Sequence, residues 1–222
     1  MSSEDSLKPV LDFLSGLKKN NNKAWFDAHR AAYEDAKARF EAFVDQLIAG
    51  TGKFEDLHGV TARDSTMRIF RDVRFSKDKS PYKPNMSASI GPGGKKSARL
   101  KYYLHVEPGN ASMIAGGMHM PETGQLTKFR DAIGRDASRF KRIVAAPEFK
   151  HYFGSLEGEK LKTAPQGFAR DHPEIELLRL KDVVAVHHLS DKDVLAPRFE
   201  GNVVQGFKAM KPFLDYLNEV IE

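Results

Sequence analysis

LKYYLHVEPGNASMIAGGM, residues 100–118, reads as two strands and the turn between them. Leu100, Tyr102, Leu104 and Val106 alternate with Lys101, Tyr103, His105 and Glu107, the period-two pattern of a strand with one face buried. Pro108, Gly109 and Asn110 supply a tight turn, and a second strand returns from Ala111 to about Met118. A connection this short joins antiparallel neighbours, so a meander is the expected topology. Upstream, Met86–Ile90 reads as a strand and GPGGKK (91–96) as the loop after it. From Met67 to Phe75 the apolar Met67, Ile69, Val73 and Phe75 alternate with Arg68, Asp72 and Arg74, which predicts one strand more. Arg71 falls on the apolar side of that pattern or else marks a bulge. Val183–Leu189 is a further candidate strand.

Helical periodicity flanks this middle third. Leu7, Val10, Leu11, Leu14 and Leu17 predict an amphipathic helix over residues 5–18. Asn20, Asn21 and Asn22 break it and offer an N-cap to a second helix, Lys23 to Ile48. Its expected buried stripe holds Trp25, Phe26, His29, Tyr33, Phe40, Phe43, Val44 and Leu47, with Gly50 and Gly52 as terminators. After the strands, Leu126, Phe129 and Ile133 mark one helix, and Phe140, Ile143 and Val144 another that Pro147 limits. A further helix begins at Glu174. The chain ends in a helix burying Phe207, Met210, Phe213, Leu214 and Leu217. Helices, then strands, then helices predict an α+β fold: a single domain over residues 1–222, with a mostly antiparallel sheet packed by N- and C-terminal helices.

Composition narrows the classes. Of the 222 residues, 41% are hydrophobic and 29% charged, which suits a globular protein with a substantial core. The chain has no cysteine, so disulfides, thiolate metal sites and thiol nucleophiles are excluded. The start, MSSEDSLKPV, lacks a signal-peptide pattern, and no apolar run approaches membrane-spanning length. A cytoplasmic protein without membrane partners is expected. The formal net charge of +5 is unevenly placed. Between Arg63 and Lys101 there are 11 basic residues against three acidic ones, +8, which leaves −3 for the remainder. Such an island localises an attractive field for anions.

The island centres on RIFRDVRFSKDKSPYK, residues 68–83. Guanidinium forks and ammonium groups are the natural partners of phosphate and carboxylate oxygens. The candidate ligand-binding residues are therefore Arg68, Arg71, Asp72, Arg74, Lys79, Tyr82 and Lys83. Arg74, Lys79, Tyr82 and Lys83 are expected to line one concave surface on a loop stiffened by Pro81 and Pro84. The bland alternative is an Arg–Asp network, with Asp72 and Asp78 as local partners, that pins the segment. His105, Glu107 and His119 offer two imidazoles and a carboxylate, the ligand set of non-haem iron enzymes. Lys101 and Tyr103 share that face, so no metal and no other cofactor is expected. There is no Walker loop, no GxSxG and no GxGxxG after a strand.

The pattern RxxRDxRFxxxKxxY, met by Arg68, Arg71, Asp72, Arg74, Phe75, Lys79 and Tyr82, resembles the hallmark of the bacterial and fungal family known as domain of unknown function 2461. NNNKAWF (20–26), YYLHVEPG (102–109), LKTAPQGF (161–168), DHPEIELLRLK (171–181) and FKAMKPFLDYLN (207–218) also resemble it, so the likeness spans nearly the whole chain. It implies a single α+β domain and supplies no activity. The residues themselves favour binding of a small phosphorylated or carboxylated ligand, with electrostatic stabilisation as the route to any catalysis. The alternative is a non-catalytic nucleic-acid-binding module, in which Tyr82, Tyr102 and Tyr103 would be stacking platforms. No oligomeric state is specified by these patterns.

Overall fold

Asn22 places the first landmark: its side chain accepts a hydrogen bond from the Trp25 amide at 2.9 Å and caps a helix, as its type predicts. A computed structural model describes residues 6–222. Asp5, within the range predicted for the first helix, lies outside them. That helix, α1, is Lys8–Lys19, with Pro9 in its first turn and Val10, Leu11, Phe13, Leu14 and Leu17 buried.

The predicted second helix is two. After α2 (Lys23–Ala28) the backbone leaves helical geometry at His29, φ −111° and ψ 23°, and α3 runs from Arg30 to Thr51. The Trp25 carbonyl accepts from the His29 amide at 3.0 Å and lies 2.8 Å from the ring Nδ1, while the two rings stack at 4.0 Å. The ring Nδ1 thus shares the Trp25 carbonyl with the backbone amide, and His29 is exposed where the periodicity places it on the buried stripe. Phe26, Phe40, Phe43, Val44 and Leu47 are buried as expected. Gly50 does not terminate α3. It sits inside the helix, where a Cβ would lie 2.7 Å from the Val204 side chain, so glycine permits a close approach. A short helix, α4, covers Ala62–Ser65 behind the Thr61 cap.

The sheet has four strands, β1 (Met86–Ile90), β2 (Tyr102–Val106), β3 (Ser112–Met118) and β4 (Val183–Leu189), in the order β1-β2-β3-β4. It is the predicted antiparallel meander, and helices stand at both ends of the chain. In the β1–β2 register Met86 faces Val106 and Ile90 faces Tyr102. Gly109 and Asn110 turn the chain from β2 to β3 with φ of 88° and 60°. Asp191 holds this turn by accepting from both of their amides, at 2.9 and 3.0 Å.

Residues 67–75 are not a strand. Only isolated bridges form, Thr66 with Ala88 and Phe70 with Tyr82. The Met67 amide donates to the Ser87 carbonyl, Lys83 to Ile69 and Arg71 to Pro81, at 2.8, 2.8 and 2.9 Å. Pro81 and Pro84 have no N–H to extend that ladder, and beyond Arg71 the chain folds on its own side chains. Phe75, assigned by alternation to the apolar side, is 96% exposed.

The later helices are α5 (Thr123–Arg135), α6 (Ser138–Ala145), α7 (Pro147–Phe153), α8 (Ile175–Leu178), α9 (Asp191–Val194) and α10 (Phe199–Ile221). Pro147 opens α7 at a position that needs no amide donor, as well as following α6.

The chain divides into two compact units: residues through Ala98 with Tyr102–Ile114 and His188–Gln205, and Arg99–Lys101 with Ala115–His187 and Gly206–Glu222. In the first unit α1 packs on α3, α3 on β1, and Phe43 stacks on Phe199 at 5.2 Å. In the second, Phe140 meets Phe129 and Phe213 at 5.3 and 6.0 Å, and Phe149 meets Phe213 at 5.4 Å. No helix among the described residues is long and apolar enough to cross a membrane.

Candidate functional site

The loop after Phe70 satisfies most of its own charges. Arg71 bonds Asp78 through Nη1 and reaches Ser76 Oγ at 3.4 Å. Its side chain is 25% exposed, so it is half-buried and paired, while Lys77 is exposed. Arg74 grips Asp72 with two guanidinium nitrogens, at 3.0 and 2.6 Å. Lys79 donates to the Val73 carbonyl at 3.0 Å. The Arg71 guanidinium holds the Asp78 carboxyl well below the usual carboxylate range, with help from the Ser80 hydroxyl and amide. Asp72 is lowered in the same sense by Arg74.

Tyr82 belongs to a different environment. It is 4% exposed, and its ring stacks on Phe26 at 4.1 Å with 10° between planes. Phe70 leans on both rings, at 6.0 and 5.5 Å. The Asn21 side chain brackets the Tyr82 backbone, donating to its carbonyl at 2.9 Å and accepting from its amide at 3.1 Å. Lys83 is half-buried, and burial first, then nearby Arg68, lowers its pKa.

Of the seven predicted residues, Arg68 lines a cavity, one of about 250 Å³. One wall is a single face of α3: Tyr33, Lys37, Phe40 and Glu41 at helical spacing. The other is the segment after α4, where Thr66, Met67, Arg68, Ile69 and Phe70 line it together with Arg63. Met86 of β1 contributes apolar surface and Lys95 a cation. Lys95 braces the second wall, donating to the Arg63 and Thr66 carbonyls at 2.7 and 2.8 Å. Lys37 stands 3.6 Å from Glu41. Among the described residues the Arg63 and Arg68 guanidiniums make no ion pair, and the Thr66 hydroxyl is buried without a hydrogen-bond partner. Burial first, then Glu34 and Glu41, raises the Tyr33 pKa, so its hydroxyl keeps its proton at neutral pH. Four cations thus meet one carboxylate over an apolar floor.

This fold and this basic segment lie within a known sequence family, described as conserved hypothetical protein (DUF2461), whose model matches residues 9–216. The chain belongs to that family. No curated protein and no solved structure matches it.

Elsewhere in this DUF2461 chain, His105 and Glu107 do touch. His105 Nε2 lies 3.1 Å from Glu107 Oε2, its Nδ1 is 3.4 Å from the Tyr103 hydroxyl, and Glu107 Oε1 accepts from Lys18 at 2.8 Å. His119 instead faces Asp182 at 3.6 Å. Among the described residues no three His, Asp or Glu side chains are grouped to hold a metal ion. By sequence, Arg63 and Lys95 belong to the basic island without being site candidates, and periodicity assigns Tyr33 and Phe40 to the core. The usable signal was that Tyr33, Lys37 and Glu41 share the face carrying Phe40.

Proposed function

We propose that this protein, acting in the cytoplasm, binds a small phosphorylated or carboxylated ligand in the cavity between α3 and residues 66–70. The observation that carries the reading is the pair of guanidiniums, Arg63 and Arg68, that line the cavity without an ion-pair partner among the described residues. An unpaired guanidinium beside a concave, partly apolar surface is a ready donor to anionic oxygens. In this reading Arg68 and Arg63 bind, Lys95 positions their segment, and Arg71, Asp72, Arg74 and Lys79 hold the adjoining loop in shape. Tyr82 and Lys83 anchor its return. The same guanidinium pair would stabilise charge developing on a bound ligand's oxygens.

Calorimetric titration with inorganic phosphate and small carboxylates tests this. Arg68→Gln is expected to weaken binding by about tenfold or more while the melting temperature stays within a few degrees. Arg74→Gln should leave binding unchanged, because its guanidinium already serves Asp72. The reverse pattern, or no anion bound by the wild type, overturns the reading. Steeply salt-dependent capture of mixed oligonucleotides in place of small anions would favour a nucleic-acid module instead.

A further inference from the structure

We infer that the ligand of this cavity is a phosphomonoester of a small polyhydroxylated body, an inference that rests on the anion-site reading and goes beyond it. The first argument is charge. On the wall opposite α3, Arg63, Arg68 and Lys95 carry three positive charges, with Asp64 and Asp72 close enough to feel them, while Lys37 and Glu41 on α3 offset each other at 3.6 Å. A phosphomonoester carries about −1.5 to −2 at neutral pH, against −1 for a carboxylate, so it neutralises this excess better. The two guanidiniums on one wall match an oxyanion with three terminal oxygens, each able to accept from a separate donor.

The second argument is the opposite wall. Glu41 and Tyr33 come from the same face of α3. A carboxylate accepts and a protonated phenol both donates and accepts, which is the complement of hydroxyl groups. Lys37 offsets Glu41 on this wall, so the α3 end is polar without net charge while the opposite wall is cationic, which puts the phosphoryl group at the arginine end and hydroxyls at the α3 end. The third argument is size and surface. About 250 Å³ holds a phosphoryl group and a few carbons, less than the roughly 300–1,000 Å³ of pockets for drug-sized molecules. Phe70, 46% exposed, and Met67 offer an apolar patch for the C–H face of such a body.

The test compares four probes by calorimetry at fixed ionic strength: glycerol 3-phosphate, ethyl phosphate, glycerate and inorganic phosphate. Glycerol 3-phosphate is expected to bind about tenfold tighter than either ethyl phosphate or glycerate, one net hydrogen bond or charge being worth that much. Glu41→Gln and Tyr33→Phe should each shrink the preference over ethyl phosphate; Tyr33→Phe should leave affinity for inorganic phosphate unchanged, and Glu41→Gln, which removes a negative charge, should not weaken it. Arg68→Gln should weaken all four. Tyr33→Phe keeps the ring that packs on Phe13 and Phe26, so it guards against a folding defect in the other variant. Neutral vesicles with and without a phosphorylated inositol lipid separate the sources. Arg68-dependent sedimentation with the former assigns the same polyol phosphate chemistry to a headgroup, and its absence assigns it to a free metabolite. Equal binding of ethyl phosphate and glycerol 3-phosphate, with both α3 variants silent, overturns the polyol assignment and leaves the anion site standing. If no phosphate binds at all, the anion site itself falls.

Discussion

Tyr82 and Phe75 lie seven positions apart in one basic motif and have opposite physical fates. The Tyr82 ring is buried against Phe26 and Phe70, so Tyr82→Ala should cost about 3–5 kcal/mol, read from the midpoint of urea denaturation. Tyr82→Phe keeps the stack and should cost less than about 1 kcal/mol. Phe75 is almost wholly exposed, and Phe75→Ser should change stability by no more than about 0.5 kcal/mol. Asp78 adds a pH dependence. Its folded-state carboxyl titrates below the ordinary value because Arg71 and Ser80 bond the charged form. Its contribution is therefore complete above the unfolded value of about 3.9 and disappears as the pH falls through the lower folded one. Wild type and Asp78→Asn should differ in stability at pH 7 and converge on acidification. Convergence above pH 5 would contradict the assignment. Carbon NMR of the side-chain carboxyl reads the same shift directly.

At the scale of elements, β2 was legible because burial follows period two there: Tyr102, Leu104 and Val106 are buried while Tyr103, His105 and Glu107 are half-buried. β3, buried at Ile114, Ala115 and Gly116 in succession, was marked instead by the turn before it. The segment 67–75 has the same letters and no such structure. Alternation records side-chain polarity and says nothing of whether amides have carbonyls opposite them, and here two prolines remove the donors. The break at His29 was hidden for a related reason, since the apolar period runs straight across it while the backbone there leaves helical geometry and the imidazole lies exposed against the Trp25 ring. The cavity was least legible. Lys95 reaches carbonyls about thirty residues away, and a contact of that span leaves no mark in local spacing. Gly117 of β3 shows the same limit. Its φ is 124°, and a Cβ there would collide with the Val183 carbonyl, a backbone atom that cannot swing aside. Gly117→Ala should cost roughly 3 kcal/mol or more, combining backbone strain with the clash. Gly109→Ala, with a similar positive φ and open space around it, should cost about 1 kcal/mol. Thermal denaturation of the two variants separates the steric from the conformational penalty.

For the whole molecule, the question is what size of anion a charge of +5, concentrated as +8 between Arg63 and Lys101, is suited to attract. Much of that concentration is internally spent, because Arg71, Arg74 and Lys95 bond groups of the protein itself. What is left to a partner among the described residues is a few cations around the cavity, with Lys77, Lys83 and Lys96 nearby in sequence. Polynucleotide binding needs many phosphate contacts, and a protein making 6–10 of them loses about 10³–10⁵ in affinity between 50 and 200 mM salt. A ligand with one dianionic group engages two or three cations at close range, inside the screening length of about 10 Å at 0.1 M. Its affinity should fall by less than about tenfold over the same salt interval, and Arg68→Gln should flatten that dependence further. Titrations of glycerol 3-phosphate at 50, 100 and 200 mM salt measure the slope. A shallow slope agrees with the few unspent cations, and a loss of a hundredfold or more would mean that the whole basic segment, its internally paired arginines included, engages a larger polyanion.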